Sequence, residues 1–151
     1  MDLILWRHAD AEDGIIPDGE RKLTAKGIKQ AARMAKWLRP RLPEDAVVLA
    51  SPAKRAQQTA RALSPDFKVA EEIGTSASAE DVLRACGWPK AGRTLVVVGH
   101  QPTLGEVAAM LLAGTREQWS LKKGAVIWIA RGAGGGPARA SLRAAISPDL
   151  L

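Results

Sequence analysis

The 151-residue chain has no tyrosine, one phenylalanine, one cysteine and two histidines. A lone thiol, Cys86, rules out an internal disulfide and makes a cytosolic location the expectation. Near Trp88 on a helical pattern, Cys86 reads as a packed thiol rather than a reactive one. No apolar run approaches the roughly eighteen residues of a membrane helix. Only Leu3 to Trp6 separate Asp2 from Arg7, so neither a membrane segment nor a secretory leader is expected. With one Phe, no Tyr and no block of Lys and Arg, the chain lacks the composition of a base-stacking platform, and no nucleic acid partner is expected. The net charge of +6 is spread along the sequence and favours anionic partners in general. The five tryptophans are scattered and read as core and edge residues.

What is present is an alternation of apolar strands and helical segments. Asp2 to Trp6 reads as a short buried strand, and residues 9 to 23 as a loop carrying Gly14, Pro17 and Gly19. Thr24 is placed to cap a helix running to about Arg39. Its expected inner face is Ile28, Ala31, Ala35 and Leu38; Lys26, Lys29, Arg33 and Lys36 form an outer basic stripe, expected to be a solvated face. Ala46 to Ala50 is a second strand, followed by Ser51 as helix cap and Pro52 at the first helical position. Phe67 to Ala70 and Thr94 to Val98 are further strands, with a short helix at Ala79 to Ala85 between them. A helix opened by Pro102 stops at Gly114. Ala125 to Ala130 and Ala138 to Ile146 close the chain as strands, joined by a turn at "GAGGGP", which lacks the G-x-G-x-x-G pattern of a nucleotide loop. Connections this short predict a single domain over residues 1–151, an α/β three-layer αβα sandwich with a mostly parallel sheet.

Three strands end in reactive residues: Trp6 at Arg7-His8, Ala50 at Ser51 with Arg55 one turn on, and Val98 at Gly99-His100. Ligands of open parallel sheets bind outside the carboxyl ends of the strands. Both histidines and both arginines can therefore meet in one cleft, with the helix N-termini at Pro52 and Pro102 facing the same edge. Arginine forks match phosphate oxygens. A histidine beside two such cations is held neutral and nucleophilic. Such a site would hold a phosphoryl group for in-line attack. Asp10, Glu12 and Asp13 beside histidines on separate strand ends do not make a metal-ligand spacing, and no cofactor is expected.

At these residues the sequence resembles a known family. "RHADAE" is similar to the Arg-His-Gly signature of the histidine phosphatase superfamily, with Ala9 in place of the glycine. "LASPAKRAQQTA" and "VVVGHQPTLGEVA" resemble its second and third motifs, in order, over roughly residues 1 to 113. The short length and the His-Gln-Pro variant look most like the SixA-type branch of small phosphohistidine phosphatases. The resemblance implies a phosphoglycerate mutase-like fold without a lid domain, His8 as nucleophile, Arg7 and Arg55 as phosphate clamps, and His100 as donor to a phosphate oxygen. It implies that Ser51 supports Arg55 or the phosphate. Gln101 either lines the pocket or shapes the turn. Larger relatives carry an Asn six residues beyond the nucleophile, where this chain has Gly14, and an acid after the third strand, for which Glu72 is the candidate. A phosphorylated imidazole leaves without much help from such an acid, and an open site suits a protein-borne phosphate. The expected activity is therefore metal-independent hydrolysis of phosphohistidine in a protein, such as a histidine-phosphorylated signalling domain. The alternatives are a small phosphate ester, phosphoserine or phosphothreonine as substrate, or a non-catalytic phosphate-binding module.

Overall fold

A computed structural model describes residues 1–132 and 140–151. Strand β1 is Asp2–Arg7, followed by helix α1 (Ala25–Leu38), β2 (Val47–Ala50), α2 (Lys54–Leu63), β3 (Lys68–Val69), α3 (Ala79–Cys86), β4 (Leu95–Gly99), α4 (Thr103–Ala113), β5 (Val126–Arg131) and β6 (Ala140–Ile146). The sheet order is β3-β2-β4-β1-β5-β6. The first four strands run parallel, β5 is antiparallel to β1, and β6 is antiparallel to β5, which leaves a mostly parallel sheet. The turn expected at "GAGGGP" lies, from residue 133 on, outside the described residues, as does the Ala138 start expected for the last strand.

Alternation along β1 divides the core. Ile4 and Trp6 join Met34, Leu38, Ala56 and Ala60 from α1 and α2 on one face. Leu3 and Leu5 join Val82, Leu104 and Val107 from α3 and α4 on the other. Side chains of period two thus feed two helical layers, and the three-layer sandwich follows. Cys86 is buried in the second layer, where desolvation pushes its thiol up to about 12; it is the packed thiol expected.

Two local expectations need correction. Ile28 is 57% exposed, in a shallow hollow with Leu23, Gln58 and Arg61; Gly27 and Met34 fill the inner face instead. The polar side chains of α2 opposite the first turn of α1 leave Ile28 uncovered. Helix α2 begins at Lys54 with Ala53 as its N-cap, not at Ser51. The Ser51 hydroxyl accepts from the Ala53 amide at 3.2 Å, closing a tight turn before the helix, and its remaining capacity is used elsewhere. Thr24, by contrast, caps α1 as its sequence predicts, accepting from the Gly27 amide at 3.0 Å.

Two glycines bring irregular segments against the ends of the strands. A Cβ on Gly27 would lie 2.0 Å from the Asp10 carbonyl oxygen, and one on Gly105 would lie 1.8 Å from that of Trp119. Loop 9–23 and the segment before β5 can approach the sheet edge only because these positions lack side chains.

Candidate active site

The register of the sheet assembles the site. Trp6 and Ala50 both pair with Val98, so the residues that follow them emerge side by side at the carboxyl edge. The His8 amide donates to the Gly99 carbonyl at 3.0 Å, and the Ser51 amide to that of Val98 at 3.0 Å. Arg7, His8, Arg55 and His100 line one pocket of about 220 Å³. Arg21, Lys123, Thr75 and Gln101 complete much of its wall. The two imidazole centroids are 5.3 Å apart.

His8 is held in one orientation. Its Nδ1 donates to the Ala9 carbonyl at 2.8 Å, which fixes the tautomer with an unprotonated Nε2. That Nε2 lies 3.4 Å from Arg55 Nε, a donor. Burial, then the Arg55, Arg7 and Arg21 charges, lower the His8 pKa to about 4 against the opposing effect of the Ala9 bond. The sequence pointed to cationic neighbours as the cause, but desolvation is the larger effect.

His100 meets the Ser51 hydroxyl at 2.7 Å through Nε2. Ser51 accepts from the Ala53 amide and can give its proton to that imidazole nitrogen, leaving the proton of His100 on Nδ1. Among the described residues Nδ1 is buried without a hydrogen-bond partner, as is Arg7 Nε. Both belong to side chains that line the pocket, where an anion could satisfy such donors. Burial, with help from His8 and Arg55, lowers the His100 pKa to about 3, which leaves the imidazole neutral near physiological pH.

The arginines are anchored from behind. Arg7 Nη1 donates to the Leu121 carbonyl at 2.7 Å. Arg55 Nη1 donates to the Asp18 carbonyl at 2.7 Å, and Nη2 pairs with its carboxylate at 3.1 Å. The other Asp18 oxygen takes Arg21 at 3.0 Å. The Arg55 hydrogen bond holds the Asp18 carboxyl below its ordinary range, so Asp18 stays ionised and positions cations rather than supplying protons. Thr59 accepts from the Ala9 amide and donates to the Arg55 carbonyl, tying loop to helix.

The remaining candidates separate. Ser51 is fully buried behind His100 and contacts that imidazole; among the described residues no hydrogen bond joins it to Arg55. Gln101 both lines the pocket and shapes the turn: it donates to the Trp119 carbonyl and accepts from the Gly105 amide. Glu72 is not brought to the pocket. It is exposed in a short turn after β3 and lines a separate groove with Lys68, Asp81 and Arg84, because the two-residue β3 ends at the outer edge of the sheet. The helix N-termini are also less available than their prolines suggest. The Leu104 and Gly105 amides are taken by the His100 carbonyl and Gln101, while the Arg7, Arg21 and Arg55 side chains line the pocket.

Sequence reasoning missed Asp18, Arg21 and Lys123. They sit in segments without periodicity, and only proximity in the fold reveals them. Thr59 stood inside the second motif and could have been read from it.

Residues 3–76 match the model of the histidine phosphatase superfamily, branch 1. An uncharacterized Picosynechococcus protein is 34% identical over 148 residues, covering 88% of this chain and 87% of that one. The phosphohistidine phosphatase SixA of Escherichia coli is 29% identical over 128 residues, covering 76% of each. A solved structure of the protein histidine phosphatase SixA complexed with tungstate superposes with a TM-score of 0.84 at 23% identity, covering 99% of both chains, and shares the fold. The chain belongs to the histidine phosphatase superfamily. Within that class of phosphatase hydrolases it falls in the SixA-type branch.

Proposed function

We propose that the protein hydrolyses phosphohistidine carried on another protein, through a phosphorylated His8 and without a metal ion. The observation that carries this reading is the unprotonated His8 Nε2, fixed by Ala9 and set among four cationic side chains. A phosphoryl group seated between Arg7, Arg55 and His100 presents its phosphorus to that lone pair. A P–N bond to His8 forms as the P–N bond to the substrate imidazole breaks, and the guanidinium groups and His100 balance charge on the equatorial oxygens. Water then attacks the phosphorus, releasing phosphate and restoring His8.

The substrate class is read from what surrounds the nucleophile. Among the described residues, those lining the pocket include no carboxylic acid, and the nearby Asp18 is kept ionised by Arg55. An alkoxide would leave slowly from such a site, whereas imidazole departs without a strong acid. The rim is open, and Ile15 is fully exposed on the loop that carries Asp18, which suits a macromolecular substrate. Four cationic groups around two imidazoles disfavour a resident metal ion electrostatically. Among the described residues no helix is long and apolar enough to cross a membrane; a cytoplasmic location belongs to the same proposal.

The test is turnover of a histidine-phosphorylated protein beside phosphoserine and phosphothreonine peptides and 3-phosphoglycerate, with EDTA present. Preferential loss of phosphate from histidine supports the reading. Preference for an ester would move the protein to the second substrate class, and binding without turnover would make it a phosphate-binding module. Loss of activity in EDTA would overturn metal independence.

A further inference from the structure

Helix α1 carries Lys26, Lys29, Arg33 and Lys36 and no acidic residue. All four are exposed, and among the described residues none has a carboxylate within 4.0 Å. They stand three or four positions apart, where like charges oppose helix formation. Lys26 and Lys29 also lie toward the N-terminus, the end that the helix dipole makes unfavourable for cations. Solubility alone would be served as well by mixed charges.

The stripe borders a groove of about 370 Å³ lined by Lys26, Lys29, Gln30, Arg33, Pro148 and Asp149. Asp149, its one acid, is engaged by Lys122 at 3.6 Å. The groove abuts the active site. Lys123, next to Lys122, lines the catalytic pocket and pairs with Asp10 at 2.8 Å, while Gln30 accepts from the Asp10 amide at 2.9 Å. Basic side chains therefore lie on both sides of Asp10, from Lys123 at the pocket to the α1 stripe and on toward Arg41.

We propose that this face of α1 docks an acidic surface of the phosphorylated substrate protein. The inference rests on the reading of a protein-borne phosphate and adds the chemistry of the carrier. Fourteen helical residues rise about 21 Å, the reach of roughly six extended residues. The acidic residues recognised thus lie within about that distance of the phosphorylated side chain. Protein is favoured over RNA because the face offers no free aromatic platform: its one tryptophan, Trp37, packs edge-on against Trp128 beneath Arg41.

Two twelve-residue phosphohistidine peptides provide the test, one flanked by Asp and Glu and one with Ser at those positions, together with p-nitrophenyl phosphate. The wild-type protein is expected to favour the acidic peptide about tenfold in kcat/KM at low ionic strength, through KM, with the preference fading at high salt. K29E/R33E/K36E is expected to lose the preference while turning over the Ser peptide and p-nitrophenyl phosphate at unchanged rates, which also shows that it folds. A wild-type protein indifferent to peptide charge, or a preference that survives charge reversal, overturns the proposal. Fluorescence anisotropy of the unphosphorylated acidic peptide on the wild-type protein separates the two readings. If no phosphohistidine peptide is hydrolysed, the substrate assignment fails, yet salt-sensitive binding lost in the triple variant still supports the docking face. Tighter binding of a twelve-nucleotide RNA than of the acidic peptide would overturn the choice of partner.

Discussion

At the scale of single residues, the chemistry turns on two neutral imidazoles. Free histidine titrates near 6.5, whereas His8 and His100 are held at about 4 and about 3. Between about 6.5 and 4 the unfolded chain binds protons that the folded one refuses, so stability falls as pH drops through that window. Urea unfolding at pH 7.5 and 4.5 should reveal a loss on the order of 3 kcal/mol per imidazole, and His100→Asn should remove its share. On the proposed mechanism, the same neutrality keeps His8 competent as the nucleophile in acid. With p-nitrophenyl phosphate, corrected for the ionisation of the substrate, the acid limb of kcat/KM should lie below pH 5; a limb at 6.5 would mean an exposed imidazole. Ser51→Ala should lower kcat about tenfold by freeing His100, with its nitrogen NMR shifts reporting a mixed tautomer and Ser51→Thr restoring both.

At the scale of elements, close backbone approach holds the reactive ends together. Gly27→Ala drives a methyl into the Asp10 carbonyl and should destabilise the fold by about 1–3 kcal/mol, seen as a lower Tm. Because Asp10 also holds Lys123, activity should fall at temperatures where the variant remains folded. Apolar runs made β1, β2 and β4 legible in the sequence, and Arg7, His8, Arg55 and His100, which follow those runs, line one pocket. Where α2 begins was not legible. A Ser-Pro pair signals a cap, yet here the hydroxyl serves His100 and the helix starts later. Ile28 had the right spacing for the core, but spacing does not reveal that polar Gln58 and Arg61 stand opposite.

At the scale of the whole molecule, sheet order decides which of these ends become neighbours. Arg7, His8, Arg55 and His100 could be named because three adjacent parallel strands all deliver their ends to one edge. Glu72 follows a strand in the same way, but β3 lies outermost and its end falls outside the pocket. Arg21 and Lys123 reach the pocket, and Asp18 reaches Arg55 behind it, from segments whose paths no local pattern encodes. The basic stripe of α1 was visible as charge, while its nearness to the catalytic pocket depends on how α1 packs beside the turn at Lys122 and Lys123. The most direct measurement is brief incubation with a phosphohistidine protein carrying labelled phosphate, then quenching in alkali and peptide mass spectrometry. Alkali-stable, acid-labile phosphate on His8, absent from His8→Ala along with turnover, is the predicted result. Label on another residue, or undiminished turnover by His8→Ala, would contradict the account.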